Sequence, residues 1–339
     1  MRVALVTNQL SLRGTEVVLG AYARHARRLW NWDVVFIVRH ESSKRPDTPD
    51  CTDASYALYE NEFDVVYSGS DAAIEWWCEA TGVDVAVVEV SGYPGESWMP
   101  RTVPTIAHCV FTTAFPLECS VHAAVSASVA GPGVALLPNI VETLPDAAGD
   151  SGDMGDMRES LGIPGDAVVF GRHGGYDTFD IEWVFGVVRR VASHTPHIHF
   201  VFMNTAPFYA GPNVTYLEAT TDPATKTAFI DTCDAMLHAR TVGETFGLSV
   251  AEFAQRGKPV ITHAVARDKE HLRLLGDAVI TYKDARELET VLTTFTKQSA
   301  QSRQSTGYAA FTPELVMPIF RDLVEKAVSR GPPLGPGRT

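Results

Sequence analysis

Short apolar runs alternate with longer segments in which apolar residues recur every three or four positions, and the alternation continues along most of the chain. Runs at 3–6, 33–38, 64–67, 85–90 and 105–111 read as strands, each followed by polar or turn-forming residues. Between the first two, Val18, Tyr22, Ala26 and Leu29 share one face of a helix. A second amphipathic segment at 71–81 carries Trp76 and Trp77, which we assign to packing, the common use of large aromatic side chains. Residues 41–52, with mixed charge and two prolines, read as an exposed loop.

The pattern weakens between 131 and 161. A strand-like 134–137 is followed by Pro138, Pro145 and a Gly/Asp-rich stretch at 146–156 with the character of a linker. It then resumes, with strands at 167–170, 199–204, 214–217, 235–237, 259–262 and 278–281. Helices are expected at 180–193, near 223–233, from 248, over the Leu288, Val291, Leu292 and Phe295 face, and at 313–328. Strands alternating with helices specify parallel sheets, so the fold class is α/β with two Rossmann-like, doubly wound domains. The expected division is 1–145, 146–312, a closing helix at 313–330 and a disordered Pro/Gly-rich tail at 331–339.

At 339 residues the chain can bury two cores, and its 45% hydrophobic and 20% charged content is that of a globular protein. Its net charge of -13, with no Lys/Arg block, argues against a nucleic-acid or anionic-membrane partner. The five cysteines are scattered without a C-x-x-C pair, so they read as reduced thiols and not as a zinc or disulfide framework. No run of eighteen apolar residues suggests a membrane span, and Met1 leads straight into a strand, so the expected location is cytoplasmic.

Candidate chemistry concentrates in the second half. After the strand at 167–170 comes Gly171-Arg172-His173-Gly174-Gly175, where a glycine pair and one guanidinium suit a diphosphate. The glycine spacing is wrong for a dinucleotide fingerprint. The stretch from His238 to Thr262 reads strand, loop, helix, strand, with Glu244 in the loop and Glu252 on the helix, and Gly243 and Gly247 framing the first glutamate. Read singly, the two acids also suit a first-turn position favoured by the helix dipole and a solvated helix face. In the first half, Gly14 opens a helix after the first strand, where a plain tight turn serves as well as an anion site. His108 stands near the end of a strand, the place where open α/β sheets hold ligands, with a half-buried, hydrogen-bonded histidine as the alternative.

Glu244, Phe246, Gly247, Leu248, Glu252, Ala254, Gly257, Pro259 and Val260 together resemble the E-x7-E segment of retaining GT-B glycosyltransferases, in particular glycosyltransferase family 4. Leu12-Arg13-Gly14-Thr15-Glu16-Val17 is similar to a compact subgroup of that family, with Thr15 in place of one glycine of its G-G-x-E segment. The resemblance implies a UDP- or GDP-sugar donor in the second domain, a glycan or other hydroxyl acceptor in the first, closure of the cleft between them, no metal or other cofactor, and retention by same-face attack. It implies that Glu252 holds the ribose hydroxyls, that Glu244 and His108 lie by the donor sugar, that Arg172 meets the diphosphate, and that Gly14, Gly174, Gly175, Gly243, Phe246, Gly247 and Leu248 complete the donor site. The catalytic set is then Glu244, His108 and Arg172. The family's lysine, five residues beyond that arginine, is here Asp177, so the second positive charge is expected from Arg240, with Arg267 behind it. It also implies that the closing helix packs against the first domain. Rival readings are a dinucleotide-dependent oxidoreductase, a two-domain binding protein of the periplasmic type, a sugar-nucleotide epimerase and a catalytically silent GT-B module.

Overall fold

The computed structural model describes residues 1–39, 49–95, 98–145, 157–298, 303 and 305–333. Residues 41–48 of the expected loop, the linker at 146–156 and residues 334–339 of the tail lie outside the described residues. The chain forms two compact units, Met1–Ile140 with Phe311–Thr339, and Val141–Ala310.

The first unit is built on seven strands: β1 (Arg2–Thr7), β2 (Asp33–Val38), β3 (Asp64–Tyr67), β4 (Val85–Val90), β5 (Thr105–Cys109), β6 (Val121–Ala124) and β7 (Ala135–Leu136). They pair in parallel in the order β3-β2-β1-β4-β5-β6-β7. The apolar runs of β1, β2 and β4 are continuous because a parallel sheet is covered on both faces. Helices α1 (Gly14–Trp30), α2 (Asp53–Glu62) and α3 (Asp71–Ala80) connect the early strands. The closing helix, Pro313–Arg330, belongs to this unit and packs on α1, β4, β5 and β6. Tyr22 of α1 stacks on its Phe320, with ring centroids 4.9 Å apart. Gly331, assigned by sequence to a disordered tail, is instead held by the Ser120 hydroxyl, which donates to its carbonyl at 2.6 Å. Trp76 also departs from expectation: it is 68% exposed, while its neighbour Trp77 packs against the core. Adjacent helical positions point 100° apart, so only one of the pair faces the sheet.

The second unit has strands β8 (Val168–Arg172), β9 (Ile198–Met203), β10 (Val214–Leu217), β11 (Ala235–His238), β13 (Val260–His263) and β15 (Ile280–Tyr282), parallel in the order β10-β9-β8-β11-β13-β15. Two-residue strands β12 (Gly243–Glu244) and β14 (Asp268–Lys269) pair separately. Its helices are α4 (Met157–Ser160), α5 (Glu182–His194), α6 (Pro223–Thr232), α7 (Leu248–Gln255), α8 (Glu270–Leu275) and α9 (Ala285–Thr294). Phe170, Phe179, Phe200 and Phe202 dominate its core. The chain runs from β8 outward to β10 and then crosses to β11 on the other side of β8. This makes the C-terminal ends of β8 and β11 a switch point, where loops diverge and leave a crevice. The first unit has the same arrangement between β1 and β4.

All five cysteines are free thiols, and four are buried. Among the described residues no helix is long and apolar enough to cross a membrane.

Close packing leaves no room for a side chain at Gly171. A Cβ on Gly171 of β8 would lie 2.1 Å from Cys233 Sγ. Gly171→Ala should therefore lower stability by about 1–3 kcal/mol through overpacking, and Cys233→Gly in the same chain should restore part of the loss. Urea unfolding of both single variants and the double variant checks this; additive losses would show that the clash is relieved elsewhere.

Candidate functional site

The loop after β11 is fixed by contacts of its own backbone to Asp180. Asp180 N donates to Ala239 O at 3.0 Å, and Thr241 N donates to Asp180 Oδ1 at 2.6 Å. Gly243 (φ +75°) then pairs with β14 so closely that a Cβ would lie 2.0 Å from Asp268 O. That contact, and not a ligand, requires this glycine. Gly247 (φ +84°) caps α7 in the left-handed region, and Leu248 begins the helix. Phe246 is 2% exposed and packs edge-on against Tyr308, whose hydroxyl donates to Phe246 O at 2.7 Å. Its side chain is a core anchor for the turn, and sequence had placed it at the donor.

This frame brings Glu244 and Glu252 to the switch point, each held between a histidine and a cation. Arg240 Nη1 donates to Glu244 Oε2 at 2.8 Å, and His238 Nε2 lies 3.2 Å from Oε1. Behind His238, Nδ1 is 2.7 Å from Thr262 Oγ1, which is 3.2 Å from His271 Nε2. Lys226 Nζ donates to Glu252 Oε1 at 2.8 Å, and His173 Nε2 lies 2.9 Å from Oε2, off the line of a good hydrogen bond. The His173 ring stacks on Phe253, and burial pushes its imidazole below the ordinary range.

Burial acts to raise the pKa of both glutamates, and their partners overcome it. For Glu244 the His238 hydrogen bond and the Arg240 charge bring the carboxyl to about 2. For Glu252 the Lys226 charge and His173 do the same, again to about 2. Burial holds His271 down to about 3.

Arg172 is not where the sequence put it. It is 3% exposed, with Nη1 donating to Asn204 O (2.8 Å) and Thr205 Oγ1 (2.6 Å) and Nη2 to Gly175 O and Thr178 Oγ1 (both 2.7 Å). As the last residue of β8 it turns beneath the following loop and braces it, so it offers no fork to a ligand. Gly174 leaves room for that guanidinium, since a Cβ there would lie 3.0 Å from Nη2. The Gly174 carbonyl accepts from Asn204 Nδ2 at 2.9 Å. Arg267 is an exposed residue paired with its neighbour Asp268.

In the first unit, His108 is also corrected. It is fully buried in β5, with Nε2 2.8 Å from Leu137 O, and burial lowers it to about 4. A neutral histidine inside the sheet cannot touch a sugar; its place along the strand was read correctly, its direction was not. Gly14 is the first residue of α1, behind the N-cap Arg13. The buried acid of this region is Glu16, which accepts from the hydroxyls of Ser11 (2.5 Å), Thr15 (2.9 Å) and Thr7 (3.3 Å). Glu89, late in β4, lies within its field, and burial followed by the Glu16 charge pushes it well up.

Lys226, His173, His238, Thr262 and His271 had no assigned role in the sequence reading. They come from five different elements or loops, and no spacing rule connects them to the glutamates.

No protein-family model matches the chain, and no curated protein is significantly similar to it in sequence. Solved structures are similar to it. HepE of Anabaena, in complex with UDP-glucose, superposes with a TM-score of 0.67 at 14% identity, covering 96% of this chain and 99% of that one. A glycosyltransferase from Rickettsia africae gives 0.66 at 10% identity (96% and 98% covered). A UDP-forming α,α-trehalose-phosphate synthase from Burkholderia vietnamiensis gives 0.61 at 11% identity (97% of each). At such identities the likeness is one of fold, and that fold is GT-B, with two parallel-sheet α/β domains.

The two glutamates carry a pH signature. Their folded pKa values lie below the ordinary 4.5, so their ionised contacts stabilise the fold above that value, and the contribution is lost as pH falls toward about 2. The stability advantage of the native chain over Glu252→Gln should be largest near neutrality and shrink between pH 4.5 and about 2. Urea titrations at stepped pH measure it; a constant difference would show that Glu252 is not held ionised.

Proposed function

We propose that the chain is a retaining glycosyltransferase of family 4 type, which moves a sugar from a UDP- or GDP-sugar to a glycan or other hydroxyl acceptor in the cytoplasm. The observation that carries this is the pair of ionised glutamates, Glu252 buried and Glu244 half-buried, at the switch point of the second GT-B sheet. The glycosyltransferase nature of the similar structures supports it, as does the UDP-glucose bound by one of them.

Glu252 accepts from the ribose hydroxyls, and Glu244 lies by the donor sugar. Arg240, whose side chain is 24% exposed, meets the leaving diphosphate with the part of its fork that Glu244 does not use. The amides of Gly174 and Gly175 and those at the start of α7 add oriented dipoles. Arg172 contributes by keeping the 173–178 loop in place. The bond from the anomeric carbon to the phosphate oxygen breaks and the acceptor oxygen bonds to the same face. The acceptor's proton passes to the departing diphosphate, so no protein nucleophile is required. We read the reaction as metal-independent, which predicts full activity in the presence of a chelator.

A nucleoside diphosphate should raise the melting temperature by mass action. Calorimetry of the full chain with UDP and GDP tests this, and absence of affinity for both would remove the reading. Arg240→Ala should lower kcat by about tenfold to a hundredfold while changing nucleoside affinity little. The geometry also allows Arg240 simply to hold Glu244. If Arg240→Ala has no effect once Glu244 is already Gln, the arginine only positions the glutamate.

A further inference from the structure

Lys226 lies 26 positions before Glu252 on a separate helix, yet its ammonium makes the best-aligned contact to that carboxylate, 2.8 Å from Oε1. Local helix stability does not explain a lysine here. It sits in the first turn of α6, where the helix dipole disfavours positive charge, and the cap is supplied by Asp222, which accepts from Thr225 N at 2.7 Å. Docking of α6 does not require it either. At the other end of that helix Arg256 forms a two-pronged pair with Asp231 (3.0 and 2.6 Å), and Lys258 donates to Asp231 O and Cys233 O. The helix is therefore anchored independently of Lys226.

Glu252 is in turn incompletely used. A carboxylate offers about four lone-pair sites, and Lys226 and His173 approach one oxygen each. One site on each oxygen is left, a match for two adjacent hydroxyl donors. His173 is poorly aligned, so Lys226 is the contact that sets the rotation of the carboxylate plane.

We propose that Lys226 is a positioning residue that orients Glu252 to accept from the vicinal diol of a ribonucleotide, and so determines selectivity for ribose over deoxyribose. This rests on the nucleotide-sugar reading above and names the group that makes it ribose-specific. Lys226 acts through Glu252 and need not touch the ligand.

The test is calorimetric binding of UDP, 2′-deoxy-UDP, GDP and 2′-deoxy-GDP to the full chain. The native protein should favour the better ribonucleotide by about tenfold or more, the size of a hydrogen bond to a charged group. Lys226→Met should cut that preference to about threefold or less, with most of the loss on the ribonucleotide, and Lys226→Arg should retain it. An unchanged preference in Lys226→Met overturns the proposal, as does an equal loss for ribo- and deoxyribonucleotides, which would place Lys226 at the phosphates or in the scaffold. Failure of the native chain to bind either diphosphate removes the nucleotide reading itself, and that is seen before any variant is made. A ligand-free measurement guards against a misfolded variant. The Glu252 carboxyl, identified in carbon-13 spectra by its loss in Glu252→Gln, should titrate nearer the ordinary carboxylate range in Lys226→Met and in Lys226→Gln. An unmoved midpoint in a folded variant also overturns the proposal.

Discussion

Two carboxylates are kept ionised inside the second unit, and much of its local architecture answers that constraint. A buried charge left alone costs several kcal/mol, and an acid in that position ordinarily takes up a proton instead. Here each glutamate has one cation and one imidazole. Glu244 is held from its own loop by Arg240 and from the end of β11 by His238, and Glu252 from α6 by Lys226 and from the loop after β8 by His173. The two contact sets join the ends of β8 and β11 to α6 and α7. Removing either acid therefore disturbs several elements at once.

The glycines and arginines around this pair divide the work differently from a simple anion cradle. Gly243 is required by its approach to the Asp268 backbone, and Gly174, at φ +153°, sits in tight contact with the end of the Arg172 side chain. Arg172 uses four donor contacts to brace its loop. A rigid loop keeps its amides in one orientation, which is how dipoles can act on a ligand without reorganising. The guanidinium thus acts on the protein's own backbone, tying the loop after β8 to the residues that follow β9.

Much of the fold was legible in the sequence because apolar runs report on parallel strands: the runs at 33–38 and 85–90 coincide with the buried β2 and β4, and those at 64–67 and 214–217 with the half-buried edge strands β3 and β10. What was missed lacks that signal. Helix α2 buries only Ser55, Tyr56 and Tyr59, and its capping box closes with Ser55 instead of a Glu or Gln. Strands β12 and β14 are two residues long. At the site, Glu244 and Glu252 were legible from their shared string, whereas their partners converge only through topology. His108 and Arg172 were found at strand ends, as expected, but alternation along a strand leaves open which face a given side chain takes and what it meets there.

The pairing of each acid with a single full cation has a further consequence for an anionic ligand. In a chain of net charge -13, two bare carboxylates would repel a diphosphate placed beside them. At about 6 Å and an effective dielectric constant of about 20, each unit of like charge costs roughly 3 kcal/mol. Arg240 and Lys226 each cancel one carboxylate charge, so on the proposed nucleotide-sugar reading the pair would present hydrogen-bond acceptors to hydroxyl groups with little net negative field. His238 and His173 approach the second oxygen of each acid from the ends of β11 and β8, so each carboxylate is fixed from two elements while only one full cation is spent on it.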